Sequence, residues 1–479
     1  METRDVLFIG GEWVAPASDK TFTVTNPASL ETVAVVPEGT EADMDKAVAA
    51  AREAFDHGPW PHTSAKERAE VLRALSQGIQ ARMGEFSETI TKENGAPATF
   101  SMMGQVLAAT MVLDGFANAT ESFPFVEERQ GMMGQVLVNK APVGVAAGII
   151  PWNVPLFIAS MKLGAALASG STMVLKPAPE TPFDSYLLAE VLESIDLPKG
   201  VVNIVAAGRD AGEYLVRHPG IDKVSFTGST AAGRKVGAIC GEQLKRCTLE
   251  LGGKSAAVIL DDADLDAAIP ELMPAAMMNN GQACVAQTRV LAPRSRYEEV
   301  VDALAAAVGA QKVGDPVDPE VEIGPLVAER QRDRVEGYLE AGRKEGARVV
   351  VGGGRPAGID KGWFVEPTVF ADVTNEMTIA REEIFGPVVS VIAYEDEADA
   401  VRIANESEYG LSGSVWTADR ERGINVAKGV RTGTYGVNTG VVIDLHSPFG
   451  GFKASGVGRE LGPEGIEEFT EVQTIVLGG

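Results

Sequence analysis

Two side chains in this chain have types and settings suited to covalent chemistry. Glu250 stands between Leu249 and Leu251, just ahead of Gly252-Gly253-Lys254, and Cys284 closes Gly281-Gln282-Ala283-Cys284 thirty-four residues beyond it. A free thiol with a pKa near ~8.5 is only a few per cent thiolate at neutral pH, so a nucleophilic cysteine needs a local base. A carboxyl held among leucines suits that task, because desolvation raises its pKa toward the range in which it both takes and returns protons. Together the two point to acyl chemistry. Each has a plainer reading. An isolated cysteine is usually a small buried hydrophobe, and a carboxylate in an apolar strand costs free energy unless it has partners or a task.

Asn153 ends Pro151-Trp152-Asn153, between the strand-like run 143–150 and an apolar helical segment from Pro155. An amide at such a strand-to-helix turn can donate to a developing oxyanion, and it can equally cap the helix. Further on, Lys223-Val224-Ser225-Phe226 reads as a short strand running through Gly228-Ser229 into a helix over 230–240, whose first amides attract phosphate. Gly228-Ser229-Thr230-Ala231-Ala232-Gly233 leads into Arg234-Lys235 where a Walker A loop requires Lys then Ser or Thr, and no G-x-G-x-x-G fingerprint stands here. Lys176 follows the strand-like Thr172–Leu175, at the carboxyl edge where open parallel sheets bind ligands. Its alternative is a solvated loop lysine, as an ordinary turn acid is for Glu383.

The elements that must position these groups alternate between strand and helix. Strands are expected near 172–175, 201–205, 223–226 and 246–251, with helices between them, which implies a parallel sheet covered on both faces. A second alternating block follows Gly252, with strands near 256–260, 349–351 and 388–393. Two segments look unfinished as monomer surface: a hairpin-like pair over 126–140 around Gly131, and the tail 468–476 with Phe469, Val472, Ile475 and Val476.

At 479 residues the chain exceeds one comfortable core, so two or more domains are expected. A net charge of −25 argues against nucleic acid or an anionic membrane as partner. Three cysteines are too few for a disulfide scaffold, and four histidines without paired ligand spacing make a catalytic zinc site unexpected, so no metal is assigned. The start lacks a basic, apolar signal segment, which makes the cytoplasm the expected compartment. The uncharged stretch 141–161 is long enough to suggest a membrane span, but Pro142, Pro151, Asn153 and Pro155 break it into strand, turn and helix.

These motifs occur in order: Pro151-Trp152-Asn153, Lys176-Pro177, Phe226-Thr227-Gly228-Ser229, the Glu250 and Cys284 segments, Glu383-Ile384-Phe385-Gly386-Pro387, and Pro448-Phe449-Gly450-Gly451-Phe452-Lys453. In this, and over nearly its whole length, the chain resembles the NAD(P)-dependent aldehyde dehydrogenase superfamily. The resemblance implies an α/β fold with a Rossmann-type cofactor-binding domain (1–122 and 143–252), a second α/β catalytic domain (253–454) and a small β oligomerisation element (123–142 and 455–479). It implies that Cys284 attacks an aldehyde, that Asn153 and the Cys284 N–H hold the oxyanion of the thiohemiacetal, that hydride leaves for the nicotinamide, and that Glu250 activates the water that hydrolyses the thioester.

By the same resemblance the cofactor is NAD, with NADP not excluded because Pro179 stands where a ribose-binding glutamate is frequent. Ser229 would contact the pyrophosphate, Lys176 the adenosine ribose and Glu383 the nicotinamide ribose, with Phe385 packing nearby. Ile149, Pro151, Trp152, Gly208, Phe226, Gly228, Leu251 and Gly252 complete the expected cofactor set. Val154, Phe157, Ile158 and Met161 fall on one helical face by their spacing, and the resemblance places them in the aldehyde tunnel with Val285, Ile443 and Phe449. All are apolar and no Arg is among them, so a hydrophobic aldehyde is expected rather than a carboxylate-bearing semialdehyde. Glu460 resembles a position near the hydrolytic water, and a homodimer or homotetramer is expected. Two other classes compete: a cofactor-free cysteine esterase, which leaves Ser229, Lys176 and Glu383 without a purpose, and a non-catalytic structural homologue, which leaves Cys284, Glu250 and Asn153 without one.

Overall fold

The computed structural model describes residues 2–132 and 134–478; Met133, within the expected hairpin, and the chain ends Met1 and Gly479 lie outside the described residues. Five parallel strands form the heart of an eight-stranded sheet, in the order Arg246–Glu250, Lys223–Thr227, Val145–Ile149, Thr172–Lys176, Val202–Ile204. Most of their residues are buried, as the near-continuous apolar runs of a sheet covered on both faces require.

Val145–Ile149 comes first, the next two strands add on one side, and the chain then crosses back to set Lys223–Thr227 against the other side of Val145–Ile149. Strand order therefore reverses between Ile149 and Thr227. In open α/β sheets that reversal opens a crevice at the carboxyl ends of the two strands, and ligands bind there. Pro151-Trp152-Asn153 leaves one of these ends for the helix Pro155–Ser169, and Gly228-Ser229 leaves the other for the helix Thr230–Gln243.

Both edges of this sheet differ from expectation. At one, Leu7–Ile9 and Glu12–Val14 add an antiparallel hairpin that the alternating pattern does not announce. Its two-residue turn is Gly10-Gly11, with φ of 68° and 73°, a left-handed backbone that glycine adopts without strain. At the other, Gly456–Val457 pairs antiparallel with Leu249-Glu250. Residues 455–479 are thus divided between two sheets, since Thr470–Val476 lies with Gly134–Pro142 and Val126–Gly131 in a separate antiparallel three-stranded sheet.

The second block forms a seven-stranded, mostly parallel sheet ordered Arg348–Val351, Thr368–Ala371, Val388–Tyr394, Arg289–Pro293, Ala256–Ile259, Gly413–Trp416, Gly436–Val437. Four of these strands, at 289, 368, 413 and 436, add to the three expected. The tempting stretch 141–161 is strand, turn and helix, as its prolines require. Another helical stretch, Ala98–Ser122, is long and apolar enough to cross a membrane by length and composition. Here it is a core element, burying Val112, Leu113 and Phe116 between the helices Ala65–Ala81 and Pro155–Ser169.

Candidate active site

Cys284 lies in a turn that follows a strained segment. Asn279, Asn280 and Gly281 all take left-handed backbone, with φ of 51°, 61° and 73°. For two residues with side chains this is costly, and it persists where the surroundings over-determine it. Asn280 supplies much of that: its Nδ2 donates to Gly95 O (3.0 Å) and Pro325 O (2.8 Å), and its Oδ1 accepts from the Gly324 N–H (2.7 Å). Gln282 Oε1 accepts from the Val327 N–H at 3.1 Å. From the opposite side Gly253 presses so close that a Cβ there would lie 2.3 Å from Cys284 O.

The same loop fixes Asn153. Its carbonyl accepts from Asn279 Nδ2 (2.8 Å) and Asn94 Nδ2 (2.9 Å), and its own Nδ2 donates to Gln282 O (2.9 Å). An amide has two N–H donors, so this bond sets its orientation and leaves the other N–H for an oxyanion. The capping role does not apply, because Val154 occupies the cap position of Pro155–Ser169 without a side-chain bond.

Cys284 is half-buried, and desolvation, then the charges of Glu383 and Glu250, push its thiol up to about 12, against the pull of its own and the Val285 N–H. It rests as a thiol and must lose its proton to a base. Glu250 ends the strand Arg246–Glu250, is almost fully buried, and has no hydrogen-bond partner at either carboxylate oxygen. Burial, reinforced by the charge of Glu460, holds its carboxyl well above the usual range; Lys162 and Arg459 oppose that. Gly450 gives it room, since a Cβ there would sit 2.8 Å from Glu250 Oε1. Glu460 is itself committed: its Oε1 accepts from Lys162 Nζ (2.7 Å) and Ser225 Oγ (3.0 Å) in the core.

A cleft of about 240 Å³ opens at the strand-order reversal. Its walls bring together Pro151, Trp152, Asn153, Gly228, Ser229, Leu251, Gly252, Cys284, Glu383 and Phe385. Glu250 is not among the lining residues and lies behind them, against Gly450. Trp152 and Phe385 meet edge to face at 5.3 Å. Glu383 Oε1 accepts from the Gly253 N–H at 2.9 Å, and burial raises its carboxyl to about 7.

Four residues of the expected cofactor set lie off the cleft wall. Ile149 and Phe226 are buried beneath it, the Phe226 ring lying where a Gly228 Cβ would fall. Lys176 is not a solvated loop lysine: it is buried, and its Nζ donates to Pro177 O (3.0 Å) and Ala207 O (2.8 Å) beside Gly208, the cap of Arg209–Arg217.

Three cleft residues stand outside the expected site set, although Thr227 lies within the Phe226-Thr227-Gly228-Ser229 motif. Gln331 Nε2 donates to Phe385 O (2.7 Å) and Arg334 to Glu383 O (2.6 Å), so one helix, Glu329–Lys344, holds the Glu383–Phe385 segment through its carbonyls. The third, Thr227, has a buried Oγ1 without a partner. Together with the open first turn of Thr230–Gln243, where Ser229 Oγ accepts from the Ala232 N–H (3.3 Å), it provides donors for a phosphate-bearing ligand. The residues present fit a dinucleotide.

Phe157, Ile158, Met161, Val285 and Phe449 are buried in one apolar cluster, with Val154, Ile443 and Cys284 packed against it. The helix Pro155–Ser169 is buried on every side, so its spacing alone does not single out a substrate-facing side.

The sequence profile of the aldehyde dehydrogenase family matches residues 13–475. The chain belongs to that family and is an aldehyde-oxidising enzyme. A geranial dehydrogenase of Castellaniella defragrans is 47% identical over 474 residues, covering 99% of this chain and 98% of the relative. An aldehyde dehydrogenase of Mycobacterium tuberculosis in complex with NAD+ superposes with a TM-score of 0.98 at 51% identity, covering 99% and 98% of the two chains. A mutant aldehyde dehydrogenase C of Pseudomonas syringae, in complex with NAD+ and octanal, gives 0.95 at 40% identity over 98% and 96%.

Proposed function

We propose that this enzyme converts a hydrophobic aldehyde to the carboxylic acid with NAD, by way of a covalent adduct on Cys284. The observation that carries the reading is the convergence of the Cys284 thiol, the Asn153 amide and the open helix start at Gly228-Ser229 on one cleft. Cys284 Sγ attacks the aldehyde carbon, a C–S bond forms, and the carbonyl electron pair moves to oxygen, where the free Asn153 N–H and the Cys284 N–H receive it. The proton lost by the thiol passes to a base, for which the unpaired Glu250 is suited. When bound in the cleft, the nicotinamide supplies the hydride acceptor that takes the adduct to the thioester level. Glu250, having released that first proton to solvent, then takes a proton from water, water attacks the thioester carbon, the C–S bond breaks, and sulfur regains a proton from Glu250.

Glu383 and Ser229 would hold the cofactor, with Lys176 and Gly208 toward its adenosine end. Two carboxylates favour NAD over NADP: Glu38, 3.0 Å from where a Gly208 Cβ would stand, and Glu180, whose charge acts on Lys176. Both oppose an added 2′-phosphate. The relatives that act on geranial or bind octanal agree with an apolar substrate, as does the apolar cluster against which Cys284 packs.

The proposed domains are those expected, 1–122 with 143–252 for cofactor, 253–454 for catalysis, and 123–142 with 455–479 for assembly, except that Gly456–Val457 adds to the sheet of the cofactor domain. The exposed Val472 and Val476 on the outer strand of the three-stranded sheet support a homodimer or homotetramer. A sedimentation mass of one protomer would contradict it. The free thiols fit a reducing cytoplasm.

The test is a rate comparison with both cofactors and three aldehydes. Hexanal and benzaldehyde are expected to exceed succinic semialdehyde in kcat/KM, and NAD to exceed NADP; the reverse order in either pair overturns that part. In the same assay Asn153→Ala is expected to lower kcat by about 10²- to 10³-fold with normal folding, the effect of removing one oxyanion donor.

A further inference from the structure

Gln105 is fully buried, and neither its amide oxygen nor its amide nitrogen finds a hydrogen-bond partner within the protein. Burying both halves of an amide unpaired costs free energy, so a position that only filled space would favour leucine or methionine. Gln105 also stands in a π-helical turn, Ser101–Leu107, within the longer stretch Ala98–Ser122. Such turns are rare and recur at functional sites.

Two ties locate this amide. Just ahead of the stretch, Asn94 Nδ2 donates to Trp152 O (2.6 Å) and Asn153 O (2.9 Å). Further along, Phe116 packs on Gly164, where a Cβ would come 2.3 Å from its ring. The stretch therefore runs in the same direction as the helix Pro155–Ser169. The π-helical turn that carries Gln105 packs against this helix, whose first turn follows Asn153 and Val154. Its neighbours Val106 and Ala109 belong to the apolar cluster that contains Phe157, Met161 and Phe449, with Cys284 against it.

We propose that Gln105 is a specificity-determining residue, its amide hydrogen-bonding a hydroxyl or carbonyl oxygen that the substrate carries along its otherwise apolar chain. This rests on the reading of that apolar cluster as the aldehyde site and names a narrower substrate class: aldehydes with a second oxygen function several carbons from the reacting one. A hydroxyl satisfies both amide atoms, and a carbonyl satisfies the nitrogen. A site built to bond such a group discriminates against the analogue lacking it far more strongly than an apolar pocket discriminates by size.

The experiment compares kcat/KM for octanal with that for octanals bearing a hydroxyl or keto group at successive positions from the fourth carbon outward, in wild type, Gln105→Leu and Gln105→Asn. At least one oxygenated octanal is expected to exceed octanal by about tenfold or more in wild type. That ratio collapses toward one in Gln105→Leu and returns in part in Gln105→Asn. If Gln105→Leu does not fold, the near-isosteric Gln105→Met replaces it. A ratio near one across the whole series in wild type, or a ratio that survives in Gln105→Leu, overturns the proposal while leaving the aldehyde reading intact. Failure of wild type with every aldehyde overturns both.

Discussion

Cys284→Ala is expected to lower aldehyde-dependent nicotinamide reduction by roughly four orders of magnitude or more, because it removes the sulfur that bonds to the aldehyde carbon. The loss should come without unfolding. Cys284 is half-buried in a turn held by Asn279, Asn280 and Gln282, none of whose bonds involves sulfur. Near-normal thermal melting together with lost turnover is therefore the expected pair of results, and turnover within tenfold of wild type would end the covalent mechanism. The resting thiol adds a second readout. With its pKa pushed up to about 12, Cys284 should react slowly with iodoacetamide at neutral pH and about tenfold faster per unit of rising pH. Cys247 behaves in the opposite way. Its hydrogen bond from Cys240 and the nearby Lys223 ammonium bring its thiol down to about 7, so it should be alkylated first. Peptide mapping by mass spectrometry separates the two, and preferential labelling of Cys284 at neutral pH would contradict the order.

The sequence makes the central sheet legible for a physical reason. Parallel strands buried on both faces are near-continuous apolar runs, and their carboxyl ends carry the turns that hold Asn153, Ser229 and Glu250. The edges are another matter. Leu7–Ile9 and Glu12–Val14 are three residues each, too short for periodicity, although Gly10-Gly11 between them is a hairpin turn signal. Arg289–Pro293 offers only three apolar residues and ends on proline.

At the site, residues that act by side-chain chemistry were recognisable, and residues that act by holding backbone were not. Gln331 and Arg334 lie on a helix rich in Glu and Arg that reads as a solvated surface, and they reach the cleft through carbonyls of Glu383 and Phe385. Asn279 and Asn280 were detectable in principle, since Asn-Asn-Gly tolerates left-handed backbone. What the three residues support, the Cys284 turn, emerges only from contacts with Gly95, Pro325 and Val327, which are distant in sequence.

Glu250→Gln separates the two halves of the reaction. The amide keeps the size of the carboxyl and cannot accept a proton; solvent in the cleft can still take the thiol's proton, whereas the water that attacks the thioester loses its base, so the acyl group should remain on sulfur. The expected result is a fall in kcat of about 10²- to 10⁴-fold, with a mass increase of one acyl group per chain mapping to Cys284. Cys284 unmodified under turnover conditions, with kcat retained, would place the base elsewhere. The pH dependence carries the sign. A base works in its deprotonated form, and burial with Glu460 nearby holds the Glu250 carboxyl protonated well above the usual carboxylate range. Wild-type kcat should therefore be lost as pH falls through that raised pKa and be fully present above it, and this acid limb should vanish in Glu250→Gln. Glu460→Gln tests the cause. It removes the negative charge that helps raise Glu250 and leaves the Lys162 ammonium without its carboxylate, so both changes favour ionised Glu250. The acid limb should then move to lower pH; a limb that moves to higher pH or stays fixed would show that another group sets it.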